Sequence, residues 1–164
     1  MATVRRLVER DSVVVLEAWG AAADDTTLMV ATDQPRVIIL RHGPPDNTVF
    51  AELSLPANAF DSPAGVADSV RVSLRPRPGI YGVDITSDAP IKSGAVLVFK
   101  YAYHFSRPAG AERYQTDVEL EEALFIGRLQ ENGMVAVLQS TRPASDNLQA
   151  IVPAGGTYVV AAFR

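Results

Sequence analysis

Apolar and polar residues alternate every second position over much of this chain, the period of a strand with one buried and one wet face. Residues 69–75 are the cleanest case: Val70, Val72 and Leu74 fall on one side, Arg71, Ser73 and Arg75 on the other. Residues 48–55 repeat the pattern with Val49, Ala51, Leu53 and Leu55 inward, and residues 80–86 do so with Tyr81, Val83 and Ile85. Residues 12–19 form a β-branched run that stops at Gly20 and predicts one strand. Residues 27–31 and 36–41 flank Thr32-Asp33-Gln34-Pro35, a turn whose length suits antiparallel neighbours. Residues 95–105 are the longest apolar run, and their valines and aromatics predict a central strand.

Four apolar runs close the chain. Residues 124–129 lead into Glu131-Asn132-Gly133, and Asn-Gly between apolar runs is the strongest short-range hairpin signal. Residues 134–139 make the second arm, and Pro143, Ser145 and Asp146 then break the pattern. A third strand is expected at 147–152 and a fourth at 157–163, together a meander. Residues 118–123 fit either one helical turn or a polar strand. Residues 61–68 are expected to loop around Ser62, Pro63 and Gly65, and residues 106–117 form the longest expected loop, a natural partner-contacting segment. About ten short strands with hardly any helix predict an all-β fold, an antiparallel β-sandwich or partly closed barrel. One domain is expected over 1–164, with residues 1–11 as a strand or N-terminal arm.

Composition narrows the function more than the fold. At 164 residues the chain buries a core without staples, and it has no cysteine for disulfides, thiolate metal sites or nucleophiles. A net charge of -4 argues against a general nucleic-acid binder. No run approaches the roughly 18 apolar residues of a spanning helix, and residues 1–10 lack the apolar core of a signal peptide. The expectation is a soluble chain without membrane insertion, cytoplasmic as given or a mature or excised domain of an exported protein.

Candidate chemistry is sparse. His42 and His104 lie far apart in the chain, and His42, next to Gly43-Pro44-Pro45, reads as a solvated turn histidine, so no metal site is expected. Asp24-Asp25 and the acids at 117, 119, 121 and 122 lack a calcium-loop pattern and read as solvated faces. Trp19, Tyr81, Tyr101 and Tyr103 offer a sugar-stacking platform, against the plainer reading that aromatics in apolar strands are core. No phosphate loop, nucleophile elbow or dinucleotide fingerprint is present, so neither a cofactor nor a small-molecule ligand is expected. Arg71, Arg75 and Arg77 form a candidate basic stripe, and Arg107, Arg113 and Tyr114 arm the 106–117 loop, all six as binding residues for a protein partner or a second copy that docks on an exposed sheet face, an edge strand or that loop.

From Val49 onward the order of features resembles the ZU-five domain, the β-rich module of zonula-occludens proteins, netrin receptors and ankyrins. Leu53-Ser54-Leu55-Pro56-Ala57-Asn58-Ala59-Phe60 is similar to its apolar-Pro-Ala signature. Residues 87–101 resemble its Ser-x-Ala-Pro-Ile strand, and residues 124–128, Gly133 and Gly156-Thr157-Tyr158 its closing pattern. The resemblance implies a β-sandwich module that works through protein contacts and not as an enzyme. Some members of that family cut themselves at His-Phe-Ser, and His104-Phe105-Ser106 is such a triplet: the histidine would take the serine proton while the hydroxyl attacks the preceding carbonyl. In those members the triplet sits near the closing strand, where this chain has Gly155-Gly156-Thr157, so cleavage is not expected. The alternatives to a protein-interaction or structural assembly module are therefore a carbohydrate-binding module and this self-cleaving domain.

Overall fold

Alternation becomes burial on nearly every strand. The computed structural model describes residues 4–61, 68–92, 94–101 and 104–164. Among them the strands are β1 (Val4–Glu9), β2 (Val13–Val15), β3 (Glu17–Ala18), β4 (Thr26–Ala31), β5 (Arg36–Arg41), β6 (Val49–Leu55), β7 (Ser69–Pro76), β8 (Gly82–Ser87), β9 (Ala95–Lys100) and β10 (Phe105–Ser106), followed by a helix, α1 (Asp117–Ala123). The chain closes with β11 (Phe125–Leu129), β12 (Met134–Leu138), β13 (Ser140–Thr141), β14 (Asn147–Val152) and β15 (Gly156–Phe163). The all-β expectation holds, with more and shorter strands than about ten. Tyr103 and the expected loop centre at Ser62, Pro63 and Gly65 lie outside the described residues.

Two antiparallel sheets face each other. The first runs β1-β12-β11-β15-β8-β7-β4, with β2 also paired to β15, and the second runs β13-β14-β9-β6-β5. Inward residues of both sheets, among them Leu53, Val72, Tyr81, Leu97, Phe99 and Tyr158, form one buried core. A second, smaller core of Val13, Val15, Phe125, Val135, Val137, Val159 and Ala161 lies on the other face of the first sheet. Its cover follows from topology: β1 pairs with β12 and β2 with β15, yet only Arg10–Ser12 separate β1 from β2. That end of the sheet curls on itself as a partly closed barrel, and Val4–Glu9 is a paired strand, not an arm.

Three expectations are corrected. The turn at 32–35 does not join neighbours, because β4 pairs with β7 in the first sheet and β5 with β6 in the second. It is a corner between sheets. The closing meander is also broken: β11 pairs with β12 and with β15, while β14 crosses to pair with β9. Residues 12–19 are two short strands, because at Leu16 the chain bonds across the gap between β15 and the start of β8. There the Leu16 N–H donates to the Val160 carbonyl and Tyr81 N–H donates to the Leu16 carbonyl.

The choice at 118–123 resolves as α1. Thr116 caps it, its hydroxyl accepting from the Glu119 N–H at 3.2 Å, and the Glu119 carboxylate accepts from the Gln115 N–H at 2.8 Å. Thr-x-x-Glu is a capping-box spacing, and buried Leu120 pins the turn to the core.

Candidate functional site

The two histidines meet. The chain leaves β5 at Arg41, and His42 forms a bridge with Ala23 while the Gly43 N–H donates to the Ala22 carbonyl. His104 arrives just before β10, and the two rings lie 4.3 Å apart, tilted by 50°. His42 is only 3 % exposed, which corrects its reading as a solvated turn residue. Its Nδ1 lies 2.9 Å from the Ala21 carbonyl. A carbonyl only accepts, so Nδ1 carries a proton, and Nε2 is buried without a partner among the described residues. On His104 the pattern is reversed: Nε2 meets the Asp46 carboxylate, and Nδ1 is the buried atom without a partner among the described residues. The Thr48 hydroxyl, followed by His104 and the Thr48 N–H, holds the Asp46 carboxyl below its usual value.

Trp19 covers the pair. Its indole stands edge-on to His104 at 4.7 Å, its Nε1–H donates to the Phe105 carbonyl at 3.2 Å, and its backbone N–H donates to the His104 carbonyl. A cleft of about 250 Å³ opens beside it, lined by Trp19, His42, Phe50 and Ile80 with Asp25 and Arg77 among the polar walls. Phe50 stacks on Tyr81, whose hydroxyl donates to the Tyr101 carbonyl and whose phenol burial pushes up. Among the described residues no three His, Asp or Glu converge in a way that would hold a metal. In the triplet, β10 pairs with β3, placing Phe105 opposite Ala18 and Ser106 opposite Glu17. The His104 imidazole is turned to Asp46, and among the described residues Ser106 Oγ makes no hydrogen bond to it.

The six expected binding residues do not gather in one place. Arg71 and Arg75 project from the outer face of β7, Arg75 lying 3.9 Å from Asp25. Arg77 is spent on Asp84 and Thr157, at 3.0 and 3.3 Å. In the loop, Arg107 bonds Asp117 and the Ala111 and Tyr114 carbonyls, Arg113 donates to the Arg164 carbonyl, and the Tyr114 hydroxyl donates to the Phe163 carbonyl. These contacts lash the 106–117 segment to the end of β15. Of the candidate stacking aromatics, Tyr81 and Tyr101 are 0 % exposed, in line with the plainer reading as core, and Trp19, at 55 %, stands without them.

What the chain presents instead is the outer face of the second sheet. The register sets its residues in rows: Val37, Ser54, Val96 and Ile151; then Ile39, Glu52, Val98 and Gln149; then a third row of two separate pairs, Arg41 with Val49 and Lys100 with Asn147. Val49, expected inward, falls beside exposed Arg41 because the register shifts between Leu40 and Arg41, and Phe50 is buried in its place. Val37 and Ile39, on the edge strand β5, are 52 % and 42 % exposed, and Val96, Val98 and Ile151 are half-buried. A shallow hollow of about 400 Å³ lies at the apolar end, between Pro35, Val37, Pro56 and Val96. An exposed sheet face or edge strand is among the docking surfaces expected from the sequence, but that expectation leaves open which one, although the signal for this face is visible. Residues 37–40 and 95–99 are apolar without alternation, so each strand has an apolar residue to spare for its outer side. The histidine pair carries no such signal, because nothing local links positions 42 and 104.

No family model, curated protein or solved structure matches this chain. Function therefore has to be argued from these surfaces.

Proposed function

We propose that this chain is a non-enzymatic protein-interaction module that docks through the outer face and β5 edge of its second sheet. The observation that carries the reading is the set of outward apolar residues on this face, Val96, Val98 and Ile151 on β9 and β14 and Val37 and Ile39 on the open edge strand β5, with Ser54 and Glu52 of β6 between the two groups. Apolar patches of this kind on a surface mark interaction sites, and an edge strand offers unpaired backbone groups to a partner. The reading agrees with the expectation from the ZU-five resemblance. A sugar-binding role finds less support, since Trp19 is the one aromatic among the exposed large apolar residues of the described chain.

The test is site-specific photo-crosslinking in the cells that make the protein, with a photoreactive residue at position 39 or, as control, at position 71 on the opposite sheet. Protein adducts from 39 and none from 71 are expected; equal adducts or none from both would sink the reading. Intact-mass measurement of the same preparation tests the non-enzymatic half. A single species at 17.6 kDa is expected, and two fragments meeting at Phe105-Ser106 would make the chain self-cleaving.

A further inference from the structure

We infer that the occupant of this face is an extended segment of another protein, added antiparallel to β5, with a carboxylate against Arg41 followed at alternate positions by two apolar side chains. The inference rests on the reading of this face as the protein-binding one, and the sheet itself supplies the detail. β5 ends its sheet, and among the described residues the backbone of residues 36–41 makes no hydrogen bonds outside the ladder with β6. Its outward positions run Val37, Ile39, Arg41, apolar, apolar, basic, and two strands in, β9 repeats the order as Val96, Val98, Lys100. A strand laid along that edge meets the same sequence of environments.

Charge then selects the partner. The chain as a whole is at -4, yet this face carries Arg41 and Lys100 with Glu52 as the single acid in the three rows. Among the described residues neither basic group forms a salt bridge, and the Arg41 guanidinium makes one hydrogen bond, to the exposed Asn47 carbonyl. A second copy of the chain fits poorly. Antiparallel neighbours keep outward residues opposite outward ones, so β5 and its symmetry mate centre on a residue. Centring on Ile38, Ile39 or Leu40 sets Arg41 opposite Pro35, Val37 or Ile39, and in none of these registers does it meet an acid. A foreign segment with an acidic residue at that place satisfies both the ladder and the charge. Antiparallel addition is the more stable pairing per residue, and it fixes the order in the partner as acidic, any, apolar, any, apolar.

The probe is a capped peptide, Ser-Glu-Thr-Val-Thr-Val-Ser, titrated into the 15N-labelled full chain by NMR. Saturable shifts confined to β5, β6 and β9 are expected. Arg41→Glu should weaken binding at least about tenfold, and the peptide with Lys in place of Glu should bind this variant better than the wild type. Because the second comparison is a gain, a misfolded variant cannot imitate it. Equal affinity of wild type and Arg41→Glu for the Glu peptide, or no shifts at the solubility limit, would overturn the inference. If crosslinking from position 39 still captures a protein, the broader reading stands and only the partner chemistry fails. A dimer in native mass spectrometry that Ile39→Glu dissociates would also overturn it, with the second copy as occupant.

Discussion

Asp46 shows how one polar residue can organise a corner of an otherwise apolar fold. It stands between the Thr48 hydroxyl and backbone N–H on one side and His104 on the other, and these partners favour its ionised form. Its carboxyl is held below 3.8 in the folded state. It therefore adds stability above that pH and loses the contribution as pH falls through the folded value. In Asp46→Asn the melting temperature should fall less steeply from about pH 5 to about pH 2 than in the wild type. Parallel curves in calorimetric melts would show that the carboxylate contributes nothing to the fold. Tyr101 and Tyr158, buried among apolar neighbours, are pushed up to about 12 and keep their phenolic protons over the same range.

The β11-β12 hairpin is the element that local chemistry specifies most completely. Gly133 sits at φ +79°, the Met134 N–H donates to the Asn132 side chain at 3.1 Å, and the Gln130 N–H donates to the Met134 carbonyl at 2.9 Å. A Cβ added at Gly133 meets nothing within 4 Å, so Gly133→Ala isolates backbone strain. The expected loss is about 1 kcal/mol, or about 2–4 °C in melting temperature; an unchanged melt would show that the turn relaxes out of the left-handed region at no cost. Elements of this kind are legible in the order of residues alone. Val70, Val72 and Leu74 are buried as their alternation predicts, and Asn132-Gly133 reverses the chain. Which sheet each strand joins is not legible in the same way. Thr32-Asp33-Gln34-Pro35 encodes a change of direction, and that chemistry is the same whether the next strand pairs or crosses to the facing layer. Pro153-Ala154-Gly155-Gly156 has the same ambiguity, and there too the chain crosses. The candidate site is hidden for a related reason: His42 and His104 meet, and Val37 and Val96 come to share a face, only through long-range register.

At the scale of the whole molecule, the two cores share β15. Its Tyr158 and Val160 face the sandwich, Val159 and Ala161 the barrel. This alternation couples the halves, so removing residues 1–9, which strips β1 from β12, should lower stability without creating a separate unit. We expect a drop of at least about 5 °C in one transition; two resolved transitions by calorimetry would show that barrel and sandwich melt independently. The same sharing orders events during synthesis. Val13, Val14 and Val15 pair with Phe163, Ala162 and Ala161, at the opposite end of the chain. A ribosome that has released β1 and β2 has yet to make the strands that receive them, and contacts so distant in sequence are slow to form. The Val13–Val15 stretch is fully apolar and β-branched, the kind of segment that aggregates when left unpaired. In the nascent chain, the strand that waits longest for its partner is thus one of the most adhesive.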